Sequence, residues 1–212
     1  NFILSNMEEG ADFKPTLELA QKEGYAEPDP TFDIEGMDAA HKIGILSSLA
    51  FGTPLPPNDF YIEGISKIEK IDFKYAKEMG FTIKHLAVSK LNEERIELRA
   101  HPVLIKEDSY LANLKSVRNG IEIETDLLGT LHIAGSGAGQ ESTASGVISD
   151  LVYLANSNNN LLEIESDNKI ELIDFLSLSF QYYFYIEAED TPGVMASITS
   201  MFGEKKIGIE SI

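Results

Sequence analysis

The residues best suited to acid–base chemistry are an aspartate and a lysine four positions apart, Asp38 and Lys42. They lie in a segment, residues 36–51, that is predicted to be a helix, and there they share a stripe with Ile45 and Leu49. This apolar arc is expected to face the protein interior, where charges are costly unless they are paired or used. Burial lowers the pKa of a lysine and makes it a proton donor near neutral pH. The spacing therefore fits an acid/base Lys42 with Asp38 orienting a polar ligand; the alternative is a structural ion pair at the start of the helix.

An acidic loop precedes this helix and contains Glu27, Asp29, Asp33 and Glu35. Such a concentration of carboxylates is one way to build a cation site. An EF-hand needs acids at alternate positions around a central glycine, and this spacing does not match it. We therefore expect no metal here.

Helices and strands alternate along the chain in a way that places these residues on a mixed scaffold. Helices are predicted over residues 13–22, 36–51, 61–65, 68–79 and 142–154, and strands over residues 81–88, 96–105, 120–125 and 127–134. This order indicates an α+β fold with a mixed, largely antiparallel sheet covered by helices.

Composition excludes several classes of function. The formal net charge of -18 repels phosphate backbones, so no nucleic acid partner is expected. The chain contains no cysteine, which excludes disulfides and thiolate catalysis within it and is compatible with the cytoplasm. It has no run of the roughly 18 apolar residues that a membrane helix needs, so no membrane association is expected. Because the first residue is Asn1, we interpret the chain as part of a longer one.

Two runs around the candidate helix resemble a known signature. Residues 24–30 read GYAEPDP, Asp33 follows, and residues 36–42 read GMDAAHK. Together they resemble the signature of the homoserine dehydrogenases, and the opening residues 1–4 (NFIL) and the run 135–139 (GSGAG) fit the same family in order. The resemblance covers about residues 1–155.

The resemblance implies a reaction and the residues that perform it. Homoserine dehydrogenases reduce aspartate β-semialdehyde to homoserine with NADPH or NADH. Lys42 matches the family's acid/base, and Asp38 and Glu27 match positions that hold the amino acid substrate. Asp33 and Tyr25 match further positions on the substrate side.

The cofactor side of the site is expected to be incomplete in these residues. By the same resemblance, Gly24, Glu27 and Gly139 lie where the chain approaches NADP or NAD. Read without the family, the run 135–139 is a tight strand-to-helix turn. It lacks the third glycine at the offset that the dinucleotide fingerprint requires, and that fingerprint is absent from all 212 residues. We therefore expect these residues alone to be inactive and unable to bind the cofactor.

The C-terminal residues 181–212 resemble part of an ACT domain, a partial ferredoxin-like βαβ unit joined by a linker over residues 156–180. Strands are expected over residues 183–188 and 207–212, with a helix that Pro192 opens. The resemblance implies an amino acid effector such as threonine; the alternative is a βαβ element of another purpose.

Two functional hypotheses remain from the sequence. The first is an NAD(P)-dependent oxidoreductase of threonine and methionine biosynthesis, monofunctional because an ACT-like segment follows the catalytic region, and a homodimer or homotetramer by its resemblance. The alternative is an amino-acid-sensing module without chemistry of its own. An interior lysine favours the enzyme, because a sensor has no need of one.

Overall fold

The computed structural model describes residues 1–56, 59–156 and 170–210. Contacts within the chain group it into two units, Asn1–Phe180 and Gln181–Ile212. The first unit holds six α-helices within the described ranges, namely α1 (Phe2–Glu8), α2 (Phe13–Lys22), α3 (Thr31–Ile34), α4 (Met37–Phe51), α5 (Lys70–Glu78) and α6 (Gln140–Asn156). Its described strands are β1 (Tyr61–Ile62), β2 (Phe81–Asn92), β3 (Arg95–Lys106), β4 (Arg118–Thr125), β5 (Gly129–Ser136) and β6 (Glu171–Leu172).

The central sheet is built on the long hairpin of β2 and β3. These strands pair antiparallel over their whole length, from Phe81 opposite Lys106 to Asn92 opposite Arg95. The two short strands β1 and β6 pair parallel with the other edge of β3. Strands β4 and β5 form a separate antiparallel ribbon. The expected α+β class with a mixed sheet is confirmed in this form.

The core of the first unit lies where three helices meet the start of the hairpin. Its buried members are apolar side chains of α1, α2, α5 and β2, together with one residue that follows β1: Ile3, Leu4, Met7, Ala20, Ile65, Phe73, Ala76 and Ile83. The helix α5 is fixed at its start by a capping box in which Glu69 and Asp72 each bond the other's backbone. This core supports the sheet against which α4 packs.

One helical prediction is wrong. Residues 61–65 were expected to be helical, but Tyr61 and Ile62 form β1, and the Glu63 amide donates to the Ala100 carbonyl at 2.8 Å. The edge of β3 offers unpaired backbone groups here, and pairing with them satisfies this short segment better than one isolated helical turn. The helix predicted over residues 68–79 is confirmed as α5.

The described part of the predicted linker over residues 156–180 belongs to the first unit. Strand β6 pairs with β3, and Phe175 stacks on Tyr61 with ring centroids 3.8 Å apart. Residues 157–169 lie outside the described residues. The domain boundaries at residues 155 and 180 stay a prediction.

The second unit contains the expected helix but not the expected strands. Helix α7 (Val194–Glu204) follows Gly193, whose φ of 95° places it in the left-handed region. Residues 183–188 and 207–210 are not assigned to strands, and 211–212 lie outside the described residues. A strand is defined by regular backbone pairing with a neighbouring strand, and neither segment belongs to either sheet of the described residues. None of the described helices in either unit combines the length and apolar character needed to cross a membrane.

Candidate functional site

The acid and the lysine of the first turns of α4 lie in direct contact. Lys42 Nζ donates to Asp38 Oδ2 at 2.6 Å. The Lys42 side chain is 61% exposed and that of Asp38 is 39% exposed. The ion pair that the spacing offered as the alternative to an acid/base site is therefore present, and the burial expected for both residues is wrong.

The opposite face of α4 is the one that packs on the sheet. Its buried residues are small, namely Ala40, Gly44, Ser47 and Ser48, whereas three of the large apolar residues of the helix are exposed, namely Ile45, Leu46 and Leu49. Small side chains let the helix backbone approach the strands β2 and β3 closely, and this contact decides the orientation of the helix. As a result, the stripe that carries Asp38 and Lys42 faces outward.

A glycine sets the start of α4 against the sheet. Gly36 precedes the helix with a φ of 82°, a conformation that favours glycine. A Cβ at this position would lie 2.8 Å from His85 Nε2 and 3.1 Å from the Glu63 carbonyl oxygen. The backbone therefore passes directly over the His85 ring two residues before Asp38.

A second glycine holds the same segment from the other side. A Cβ on Gly64 would lie 2.3 Å from the Ile34 carbonyl oxygen and 2.4 Å from Glu35 Cα. The neighbouring Ile65 amide donates to that Ile34 carbonyl at 2.7 Å. The chain leading into α4 is thus held by close backbone contacts.

The acidic loop before α4 is ordered by its own hydrogen bonds. The Gln21 side-chain amide donates to the carbonyls of Glu27 and Pro28, both at 3.1 Å. Asp29 Oδ1 accepts from the Thr31 amide at 3.1 Å and from its hydroxyl at 2.7 Å, and these bonds lower the pKa of the Asp29 carboxyl. Asp29 is therefore used in forming the turn that begins α3.

The other candidate substrate residues lie on the same connection. The Tyr25 ring packs against Phe2 with centroids 5.2 Å apart, while Glu27 and Asp33 are exposed. In the described residues, none of these three is recorded as hydrogen-bonded to Asp38 or Lys42. The structure thus brings two of the predicted residues into contact and places the others on the loop that leads to them.

The glycine-rich turn between β5 and α6 changes the direction of the chain with a glycine in the left-handed region of backbone conformation. Gly139 has a φ of 109°, and its carbonyl accepts from the hydroxyls of Ser142 at 2.9 Å and Thr143 at 3.0 Å. A Cβ on Gly137 would overlap the Asn119 side chain. The turn predicted from sequence is present, beginning after β5 ends at Ser136.

Among the described residues, no three histidine or acidic side chains converge as a metal site. The acids of the loop instead accept local hydrogen bonds, as Asp29 does, or face solvent.

Sequence reasoning missed two residues that shape the site, His85 and Gly64. His85 falls at an inward position of a predicted strand, and a polar residue at such a position was a signal that its ring meets another element. Gly64 lies two residues after β1 in a short segment, and a glycine there is typical of a close backbone approach.

The family model for homoserine dehydrogenase matches residues 1–152. The homoserine dehydrogenases of Pseudomonas aeruginosa and Helicobacter pylori are 42% and 40% identical to this chain, and both alignments cover all of it. The chain spans about half the length of these curated relatives, 51% in both cases.

Solved structures give the same result. The crystal structure of a homoserine dehydrogenase from Thiobacillus denitrificans superposes with a TM-score of 0.82 at 37% identity, covering 100% of this chain and 51% of that one. A homoserine dehydrogenase from S. aureus superposes with a TM-score of 0.65 at 36% identity over 73% of this chain and 40% of that one. By its sequence match and by this superposition, the chain belongs to the homoserine dehydrogenase family.

Proposed function

We propose that this chain supplies the substrate-binding and proton-transfer residues of a homoserine dehydrogenase, which interconverts aspartate β-semialdehyde and homoserine with NADP or NAD. The observation that carries the proposal is the Asp38–Lys42 pair, joined at 2.6 Å on the outward face of α4. A purely structural pair gains little from such exposure, because exposed ion pairs contribute about 0–1 kcal/mol.

Lys42 is the acid/base in this proposal. Its ammonium group has three N–H donors, and the bond to Asp38 uses one of them. With the side chain 61% exposed, the other two are accessible to a substrate oxygen. Lys42 Nζ gives a proton to the aldehyde oxygen during reduction and takes it back from the homoserine hydroxyl during oxidation.

Asp38 has two roles in the same proposal. One carboxylate oxygen holds Lys42, and the other is open to the α-ammonium group that both substrates carry. Glu27 and Asp33 add negative charge on the segment before α4, and Tyr25 on the same segment adds a hydroxyl. These three residues complete the substrate side.

The nicotinamide cofactor, when bound, supplies the hydride to the aldehyde carbon or accepts it from homoserine. The residues present suit one end of such a cofactor. A Cβ on Gly24 would meet nothing within 4 Å, and one on Gly139 would meet only Ser142 Oγ, at 3.8 Å. These open backbone positions, with Glu27 near the first, are where a flat ring can approach the chain.

Regulation and assembly extend the proposal. Residues 181–212 form part of an ACT-like unit for an amino acid effector such as threonine, supported by α7 and the turn before it. Assembly as a homodimer or homotetramer is supported by the ribbon of β4 and β5, whose apolar face is exposed through Ile121, Ile123, Leu131 and Ile133.

A cytoplasmic location fits an enzyme of amino acid biosynthesis.

The experiment that tests the proposal replaces Lys42 in the complete enzyme. Lys42→Ala removes the proton donor and is expected to lower kcat by about 10²–10⁴-fold with folding retained. Lys70 is the matched control, since it is also exposed and pairs with an aspartate, Asp12, at 2.8 Å. Lys70→Ala is expected to leave kcat unchanged. Near-normal turnover by Lys42→Ala would contradict the proposal.

A further inference from the structure

The ring of His85 lies under the first turn of α4. His85 is on β2, and register places it opposite Pro102, on the sheet face that also carries Ile83. A Cβ on Gly36 would lie 2.8 Å from His85 Nε2 and 3.1 Å from Cε1. The helix therefore begins in contact with the edge of this ring.

One hydrogen bond fixes the orientation of that ring. His85 Nε2 lies 2.8 Å from the Glu63 carbonyl oxygen. A carbonyl only accepts, so Nε2 carries the hydrogen and donates it. Burial lowers the pKa of His85, which favours the neutral ring with its hydrogen on Nε2.

The same carbonyl and its neighbour touch the segment that leads into α4. The Glu63 carbonyl oxygen would lie 3.1 Å from a Cβ on Gly36, and the Gly64 backbone lies directly against Ile34 and Glu35. Residues 34–36 thus pack against Glu63 and Gly64, and the His85 ring is hydrogen-bonded to the Glu63 carbonyl. The position of Gly36 depends on both contacts.

The helix transmits this position to the candidate site. The Gly36 carbonyl accepts from the Ala40 amide at 3.0 Å, which closes the first turn around Asp38. Lys42 follows one turn later and is bonded to Asp38. A shift of Gly36 therefore moves both side chains together.

We propose that His85 is a positioning residue for the Asp38–Lys42 pair, acting through its bond to the Glu63 carbonyl and its contact with Gly36. This inference rests on the proposed function. His85 touches neither the substrate nor the pair itself. It sets the place of the helix start, and misplacement of reacting groups by about 1 Å can cost about 10²-fold in rate.

The test compares two substitutions in the complete enzyme. His85→Leu keeps the bulk and removes the donor, and it is expected to lower kcat/KM for the semialdehyde by at least about tenfold, chiefly through KM as Asp38 moves. His85→Gln keeps an N–H donor at similar reach, and it is expected to restore kcat/KM to within about threefold of wild type. A merely structural role would give both variants the same kinetics as wild type and a lower Tm.

His101 provides the matched control. It is a half-buried histidine of the neighbouring strand, and register places it beside Leu86 on the opposite sheet face. His101→Leu is expected to lower Tm without changing kcat/KM. Should His85→Leu fail to fold, His85→Asn, whose donor is too short to reach the carbonyl, takes its place.

Each outcome bears on one idea. Unchanged kcat/KM in the variant without the donor, or no recovery with glutamine, overturns the role of His85 while leaving the proposed function intact. No turnover of semialdehyde or homoserine by the wild-type enzyme overturns the proposed function, and this inference with it.

Discussion

At the scale of single residues, a substitution of Asp38 distinguishes whether this carboxylate binds substrate or only pairs with Lys42. Asp38→Asn keeps the shape and removes the charge that would hold a substrate ammonium group. We expect KM for the semialdehyde or homoserine to rise at least about tenfold, which corresponds to about 1.4 kcal/mol. The change in unfolding free energy should stay below about 1 kcal/mol, because the pair with Lys42 is exposed. Steady-state kinetics and urea unfolding measure the two quantities.

Asp12 supplies the control for that substitution. It pairs with Lys70 at 2.8 Å, and its side chain is more exposed than that of Asp38. Asp12→Asn should change neither KM nor stability appreciably. If Asp38→Asn instead lowered only the unfolding free energy, the alternative of a structural ion pair would be correct.

Gly64 tests whether close backbone contact holds the segment before α4. A Cβ at Gly64 would lie 2.3 Å from a backbone oxygen, which cannot move as a side chain does. Gly64→Ala is therefore expected to lower the free energy of unfolding by about 1–3 kcal/mol. Gly146, inside α6 with nothing within 4 Å of an added Cβ, is the control. Gly146→Ala should be neutral or stabilising by up to about 1 kcal/mol. Equal unfolding free energies for the two variants would contradict this account.

The residues of the site differed in how visible they were in the sequence. The contact of Asp38 with Lys42 follows from four-residue spacing on a helix, and it was predicted. The parts played by His85 and Gly64 depend on which segments cross in space. The residue types at these two positions indicate a close contact but not the segment that makes it, so these residues were missed.

At the scale of elements, α4 shows why an apolar stripe can mislead. Its large apolar residues were expected inward, yet Ile45 is 63% exposed and Ala40 is fully buried. Hydrophobic periodicity predicts that the face with the large apolar side chains is buried. In this helix the buried face instead consists of Gly, Ala and Ser, because small side chains allow close packing on the sheet. The bounds of α4 depend on local sequence and were predicted to within one residue. The face that it buries depends on tertiary packing and was not predicted.

This orientation of α4 makes a stability prediction. Ala40→Leu inserts bulk between the helix and the sheet and should lower the free energy of unfolding by about 1–3 kcal/mol. Ile45→Ala, on the outward face, should change it by no more than about 0.5 kcal/mol. Chemical denaturation of both variants measures the difference. A larger loss for Ile45→Ala than for Ala40→Leu would show that the helix packs through its apolar stripe.

Strand prediction succeeded where pairing is local. The hairpin of β2 and β3 joins neighbouring segments, and its alternating pattern predicted both strands, although they extend beyond the predicted ends. Strand β1 pairs with a partner some 38 positions away, Tyr61 with Arg99, and its two residues carry no pattern of their own. Strands were also predicted over residues 120–125 and 127–134, and the structure has them as β4 and β5, with their pairing as an additional finding.

At the scale of the whole molecule, two histidines couple stability to pH. Burial lowers the pKa of both His85 and His101. The neutral state of His101 is also fixed by geometry, since Arg99 donates to its Nε2 at 2.7 Å and its Nδ1 donates to the Pro102 carbonyl at 2.8 Å. A proton on Nε2 would face a guanidinium group. The folded state therefore excludes protons that the unfolded chain accepts.

The sign of the effect follows from this difference. Unfolded histidines take up protons near their ordinary pKa of about 6.5, and the folded ones do so only at lower pH. Stability should be complete above about pH 7 and should fall as the pH drops through about 6.5 towards the folded pKa values. Urea unfolding between about pH 7.5 and 5.5 measures it, above the range where most carboxylates titrate. His101→Gln should show a shallower slope, and stability that rose on acidification would contradict the prediction.

The last prediction concerns cofactor binding by these 212 residues alone, and it is that NAD(P)H does not bind measurably. A dinucleotide is held chiefly by a phosphate-binding turn at a helix N-terminus, and the sequence contains no such fingerprint. The open positions at Gly24 and Gly139 can touch only the nicotinamide end. So small a contact does not offset the translational and rotational freedom lost on binding. Titration of the chain with NADPH and NADH by calorimetry tests this, with the complete enzyme as the positive control. Saturable binding in the micromolar range would place a phosphate-binding site within these residues, where the sequence provides no glycine-rich turn of the required spacing to form it.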